Sequence, residues 1–234
     1  MSVGKLGSYA DILTALHRMV QTLPAAAPVQ PAAPTSAYAP LGRDVFVASP
    51  RPTLDPNSFF ISQVRTDRWN PNANSGNTNC GPASLAMALK AVGLMPPGLQ
   101  NPANPEEWID QTRMAMEGDA NDFKLTSDDD VLRGALASGA KAEKVYDLSG
   151  VEQAVRQGKL VVLAGNPVAY ENRFTDDQYA KFNGGHFILV TGIQGDRVTI
   201  NDPQSKAGSL TISRAELAAY MAFKDWNVGV SIAR

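Results

Sequence analysis

The order in which helix and strand patterns follow one another constrains the fold of this chain more than any other feature. Apolar residues at helical spacing dominate the first half of the sequence, and short apolar runs typical of strands dominate the second half. The predicted strands cover residues 160–164, 186–191, 198–200, 210–212 and 228–232. This segregation predicts an α+β domain in which helices pack against an antiparallel sheet, with a site in the cleft between them.

The composition predicts a soluble, globular protein. With 234 residues, of which 44% are hydrophobic and 19% are charged, the chain can bury one sizeable core without needing a second domain. The formal net charge of −2 gives no electrostatic reason to bind nucleic acid or an anionic membrane surface, so neither partner is expected.

The chain has one cysteine, Cys80, and its neighbours mark the start of a helix. It lies in the segment NCGPAS (residues 79–84), which places a proline in the first turn, and helically spaced apolar residues follow. At a helix start, the N–H groups and the helix dipole lower the pKa of a thiol, which in reactive cysteines falls from ~8.5 to roughly 3.5–7.5. Cys80 is therefore a candidate nucleophile, although an isolated cysteine is more often a small buried apolar residue.

The same residue counts restrict cofactor chemistry. One cysteine excludes an intrachain disulfide and every cysteine-rich zinc site. The two histidines, His17 and His186, are too far apart in sequence for the usual metal-ligand spacing. We therefore expect an enzyme that works without a metal or another cofactor.

A base for Cys80 must come from one of the two histidines. His17 lies at the edge of a predicted amphipathic helix, which favours a partly solvated residue without a catalytic role. His186 opens a predicted strand, and a short turn leads to a second strand that ends at Asp202. Adjacent antiparallel strands joined by a short turn place the end of one beside the start of the other. Asp202 is therefore expected beside His186, where a carboxylate can orient the imidazole.

These segments together resemble the papain-like cysteine peptidases, and specifically the C39-like peptidase family. The resemblance covers roughly residues 57–234 and follows the family's order of cysteine, histidine and aspartate. Three motifs carry it: NCGPAS at a helix start, GGH (residues 184–186) at a strand start, and NDP (residues 201–203) at the end of the next strand. Each motif alone has an ordinary structural explanation, and only their combination is specific.

The resemblance implies a papain-like fold, in which the helix bearing the nucleophile packs on an antiparallel β-sheet. It also implies a catalytic triad of Cys80, His186 and Asp202. In this family a glutamine upstream of the cysteine helps to form the oxyanion hole. The segment FFISQ (residues 59–63) is similar to the one that supplies it, which assigns this role to Gln63.

This chemistry predicts a cysteine peptidase that acts on a peptide or protein substrate. The thiol of Cys80 would attack a carbonyl, His186 would take and return the proton, and separate donors would stabilise the oxyanion. An amidase or deamidase remains an alternative, because a triad does not choose the leaving group. A noncatalytic peptide-binding module is the third interpretation, although binding alone has no chemical need for all four residues.

The N-terminal region differs from the rest of the chain. Residues 1–23 have the apolar spacing of an amphipathic helix, residues 24–50 form a Pro/Ala-rich linker, and the peptidase domain is placed at 51–234. A tethered helix of this kind is typical of a segment that docks on a partner, and equally of a helix that packs on its own domain. No conventional signal peptide or membrane-spanning run is predicted. The localisation is therefore left open between a cytoplasmic protein and one exported by a non-classical route.

A polar stretch with several aromatic residues, from Tyr170 to Phe182, directly precedes the segment of His186. Its place in the sequence predicts a position at the rim of the cleft. The stretch would either control substrate access or form an ordinary surface loop.

Overall fold

A computed structural model describes residues 54–63, 78–120, 125–174, 183–223 and 227–234. These residues all belong to one unit of the chain, Ala48–Arg234. The predicted N-terminal helix, His17 and the linker lie outside the described residues, so the predicted domain boundaries stay predictions. Across the described ranges, no helix has both the length and the hydropathy needed to cross a membrane.

Helices come first along the described chain, and strands interleaved with shorter helices follow. The α-helices are α1 (Cys80–Ala91), α2 (Pro105–Glu117), α3 (Asp128–Ala137), α4 (Asp147–Arg156) and α5 (Arg214–Met221). The strands are β1 (Lys141–Tyr146), β2 (Leu160–Gly165), β3 (His186–Gln194), β4 (Arg197–Asn201), β5 (Leu210–Ser213) and β6 (Val228–Ala233). Short 3₁₀ helices span Pro56–Phe59 and Pro167–Arg173.

The described strands form a six-stranded sheet in the order β1-β6-β2-β3-β4-β5. Every neighbouring pair in this sheet is antiparallel. In the β3–β4 hairpin, Gln194 pairs with Arg197 and Leu189 pairs with Asn201. This register brings the chain that follows Asn201 beside the start of β3.

Helices cover both faces of the sheet. Side chains alternate along the central strands, so that Val162 and Leu189 join an apolar cluster with residues of α1, α2 and α3. Val161 and Ile188 point to the other face and join a second cluster with residues of α4 and α5. Because both faces are packed, β2 is buried at every position.

Local sequence explains where several helices begin. The Asn104 side chain accepts a hydrogen bond from the Glu106 N–H at 3.0 Å at the start of α2, and Ser127 and Asp130 form a capping box at the start of α3. Helix α1 begins differently, because its N-cap residue, Asn79, makes no side-chain capping bond to the helix. The helix is buried from Cys80 to Leu89, so packing rather than a cap stabilises it.

Candidate active site

Helix α1 begins at Cys80, which places the thiol at the N-terminus of a buried helix, as the sequence predicts. Backbone hydrogen bonds from Phe187 and Gly81 act on the sulfur. A Cβ atom at Gly81 would lie 2.5 Å from Thr126 Cγ2, so a larger residue cannot follow the cysteine without displacing Thr126. The first turn of α1 therefore packs closely against Thr126.

His186 and Asp202 lie in direct contact, and this predicted proximity is confirmed. The imidazole Nε2 lies 2.7 Å from Asp202 Oδ1, and the two side chains are 1% and 0% exposed. The imidazole also lies close enough to the Cys80 side chain to interact with it electrostatically. Because Nε2 faces Asp202, Nδ1 is the ring nitrogen that can exchange a proton with the thiol.

The pKa values of Cys80 and His186 shift in opposite directions. Burial raises the pKa of the Cys80 thiol, but the hydrogen bond and charge of His186, together with the backbone N–H groups, lower it below its ordinary value. Burial lowers the pKa of His186, but the charge and hydrogen bond of Asp202 and the contact with Cys80 raise it to about 10. These shifts favour a thiolate–imidazolium pair at neutral pH.

Hydrogen bonds to the backbone fix the start of β3 relative to its neighbours. The Ser84 hydroxyl of α1 donates to the Phe187 carbonyl at 3.1 Å in a buried position. The Tyr220 hydroxyl of α5 lies 2.6 Å from the His186 carbonyl and 3.1 Å from the Leu163 carbonyl. The start of β3, which carries the imidazole, is therefore held from both faces of the sheet.

The Asp202 carboxylate is hydrogen-bonded through both oxygens. Besides His186, Oδ1 accepts the Gln204 N–H at 2.8 Å, and Oδ2 accepts the Tyr170 hydroxyl at 2.8 Å. Tyr170 is only 1% exposed, so the predicted position at the cleft rim is wrong for this residue. The later part of that stretch, residues 175–182, lies outside the described residues.

Gln63 is anchored next to the segment that carries Asp202. Its backbone N–H donates to the Pro203 carbonyl at 2.8 Å, and the Ser62 hydroxyl donates to the same carbonyl at 3.3 Å. The Gln63 side chain is 3% exposed. Residues 64–77, which join it to α1, lie outside the described residues.

Arg113 of α2 is a buried residue that the sequence analysis missed. Its Nη2 donates to Asn79 Oδ1 at 2.6 Å and to the Thr78 carbonyl at 2.8 Å, and its Nη1 pairs with Glu117 at 2.7 Å. The guanidinium thus holds the two residues before Cys80. It lies 34 positions from Asn79, so no local pattern could have revealed the contact.

A groove with a cavity volume of about 610 Å³ lies at the other end of β3. Thr191, Ile193 and Gln194 of that strand line it, together with Arg197 and Thr199 of β4. Because His186 stands at the opposite end of β3, this groove is separate from the thiol and imidazole.

A buried thiol at a helix start, packed beside an antiparallel sheet that carries a histidine, defines the α+β class of papain-like cysteine peptidases. The chain belongs to the Peptidase_C39 like family, whose model matches residues 60–228. The protein is therefore a cysteine-type peptidase, a hydrolase, and the predicted family and fold class are confirmed.

Several solved structures resemble the chain at low sequence identity. A protein described as a C39-like peptidase from Bacillus anthracis is 17% identical, with a TM-score of 0.47 over 75% of this chain and 94% of that one. The peptidase domain of Streptococcus ComA, a bifunctional ABC transporter, is 15% identical, with a TM-score of 0.44 over 68% and 93%. A double glycine motif protease from an AMS/PCAT transporter, solved with its leader peptide, is 19% identical, with a TM-score of 0.41 over 66% and 84%. No curated protein sequence matches the chain.

Proposed function

We propose that this cysteine peptidase hydrolyses peptide bonds through a triad of Cys80, His186 and Asp202, with Gln63 as an oxyanion donor. One observation carries the proposal: the buried His186 imidazole is hydrogen-bonded to the Asp202 carboxylate and lies close enough to Cys80 to lower the pKa of its thiol. A nucleophile, a base and a group that orients the base are the parts that thiol catalysis requires.

In the first half of the reaction, the Cys80 thiolate attacks the carbonyl carbon of the peptide bond, and the carbonyl oxygen becomes an oxyanion. The backbone N–H of Cys80 and the side-chain amide of Gln63 donate hydrogen bonds to that oxygen. As the tetrahedral intermediate collapses, the C–N bond breaks and His186 gives its Nδ1 proton to the leaving amine. An acyl-enzyme at Cys80 remains.

In the second half, neutral His186 accepts a proton from a water molecule, whose oxygen attacks the thioester carbon. The C–S bond breaks, the carboxylic acid product leaves, and the thiolate–imidazolium pair is restored. Asp202 holds Nε2–H throughout, which keeps Nδ1 facing the sulfur. The chemistry requires a peptide or protein substrate and no bound cofactor.

The test is the pH dependence of Cys80 alkylation by iodoacetamide in three proteins: the native chain, His186→Ala and His17→Ala. Cys80 is the chain's single cysteine, so every alkylated molecule reports on it. We expect an apparent thiol pKa well below ~8.5 in the native protein, because imidazolium stabilises the thiolate. In His186→Ala this pKa should rise to the ordinary value or above, since burial then acts without a compensating charge.

The His17→Ala variant is the matched control, and its alkylation profile should equal that of the native protein. A native thiol with an ordinary pKa that does not respond to His186→Ala would contradict the triad and favour a peptide-binding module. For a cleaved substrate, turnover should rise with pH as Cys80 ionises. It should then fall as pH passes about 10, where His186 loses the proton that the leaving group needs.

A further inference from the structure

We propose that Tyr170 is a positioning residue of this site, whose hydroxyl holds the Asp202 carboxylate in the orientation that directs its other oxygen at His186. The inference rests on the proposed function, because it assumes that His186 and Asp202 act with Cys80.

The geometry at Asp202 carries the inference. The Tyr170 hydroxyl donates to Oδ2 at 2.8 Å, and Oδ1 faces the imidazole at 2.7 Å. Both Asp202 and Tyr170 are almost fully buried, at 0% and 1% exposure. A buried carboxylate requires hydrogen bonds to its oxygens, and a donor on the second oxygen stops the group from rotating away from the histidine.

The segment that carries Tyr170 is anchored at both ends, which positions the phenol hydroxyl beside the Asp202 carboxylate. The 3₁₀ helix Pro167–Arg173 begins at Asn166, whose side chain accepts the Val168 N–H at 3.1 Å and whose own N–H donates to the Tyr220 carbonyl at 3.0 Å. At the other end, Arg173 forms two hydrogen bonds to Glu216 of α5, at 2.9 and 3.1 Å. Tyr170 itself departs from helical geometry, with φ −138° and ψ 25°.

A second buried tyrosine in the same cluster provides a matched comparison. The Tyr170 ring packs against Tyr220, with ring centroids 5.6 Å apart. The Tyr220 ring is 0% exposed, but its hydroxyl meets the backbone carbonyls of Leu163 and His186, not the carboxylate. Loss of either hydroxyl removes buried hydrogen bonding, but only loss of the Tyr170 hydroxyl removes a direct hydrogen bond to Asp202.

The hydroxyl of Tyr170 also acts on the site electrostatically. Burial and the charge of Asp202 raise the pKa of Tyr170 well above its ordinary value, so the phenol stays a proton donor over the working pH range. The positive end of the O–H dipole points at the carboxylate. Its removal makes the potential at Cys80 and His186 more negative, which raises the proton affinity of both groups.

The experiment compares Tyr170→Phe and Tyr220→Phe by the pH profile of Cys80 alkylation with iodoacetamide, with thermal denaturation to confirm that each variant is folded. We expect Tyr170→Phe to move the apparent thiol pKa upward by about half a pH unit. Loss of a hydrogen bond to a charged group changes the pKa of that group by roughly one unit. The pKa of the thiol should show only part of that change, because the hydroxyl acts on it through Asp202. Tyr220→Phe, which loses the hydrogen bond to the His186 backbone carbonyl, should shift the thiol pKa by less than Tyr170→Phe does. Tyr170→Leu, a second variant without the hydroxyl, should shift in the same direction as Tyr170→Phe.

The decisive control repeats Tyr170→Phe in an Asp202→Asn background. If Tyr170 acts through the carboxylate, the shift disappears there. A shift that persists in that background, an equal shift in Tyr220→Phe, or no shift in Tyr170→Phe would overturn the inference. An ordinary thiol in the native protein would instead overturn the proposed function, so the two failures are distinguishable.

Discussion

The oxyanion role proposed for Gln63 can be tested separately from activation of the thiol. Alkylation by iodoacetamide displaces iodide at a saturated carbon and creates no oxyanion, whereas acylation by p-nitrophenyl acetate passes through a tetrahedral oxyanion. We expect Gln63→Ala to slow the release of p-nitrophenolate by up to ~10²–10³-fold, the usual effect of losing one oxyanion donor. The alkylation rate should stay unchanged. Equal losses in both reactions would show that Gln63 supports the structure of the site rather than the oxyanion.

At the residue scale, local sequence patterns located the residues that stand at the ends of regular elements. Cys80 opens α1, His186 opens β3, and Asp202 follows β4, so periodicity and turn signals were sufficient to find them. The contacts that Tyr170 and Arg113 make could not be predicted, for a physical reason. Their partners, Asp202 and Asn79, lie 32 and 34 positions away, and only tertiary packing brings them together.

The close approach of helices around α1 depends on Gly134 of α3. A Cβ atom there would lie 2.4 Å from Met116 Cγ and 2.9 Å from Leu85 Cδ2. We expect Gly134→Ala to reduce the free energy of unfolding by about 1–3 kcal/mol, the usual cost of overpacking a core. Urea denaturation followed by circular dichroism measures this change.

The matched control is Gly150→Ala in α4, where the nearest atom to a new Cβ would be Val145 Cβ at 3.7 Å. Because the added methyl group meets only ordinary contacts and restricts the unfolded chain, this change should stabilise the protein by about 0.4–1 kcal/mol. Similar effects of the two substitutions would contradict the tight packing of α3 against α1 and α2.

At the element scale, the sequence predicted the five strands that carry buried apolar side chains, but it did not predict β1. This strand carries Lys141, Glu143 and Lys144, and its side chains are exposed or half-buried. It pairs with β6 at one edge of the sheet, where charged residues are common. Its backbone hydrogen bonds, not its hydrophobic pattern, make it a strand, so sequence periodicity could not identify it.

At the scale of the whole chain, the N-terminal region can be separated from the candidate site by truncation. All four candidate residues and the family match lie after residue 50. We expect a variant lacking residues 1–50 to fold and to keep the native pH profile of Cys80 alkylation. Faster alkylation or turnover after truncation would indicate an inhibitory segment. A raised thiol pKa or loss of folding would show that these residues complete the peptidase domain.

The candidate site is assembled from the two sides of the sheet. Cys80 and Phe187 belong to the apolar cluster on one face, whereas Tyr170 and Tyr220, which contact Asp202 and the His186 backbone, belong to the cluster on the other. Neither half of the core alone brings thiol, imidazole and carboxylate together. If His186 and Asp202 activate Cys80 as proposed, a partly unfolded chain would carry an ordinary thiol, and peptidase activity would appear only once both halves of the core have formed.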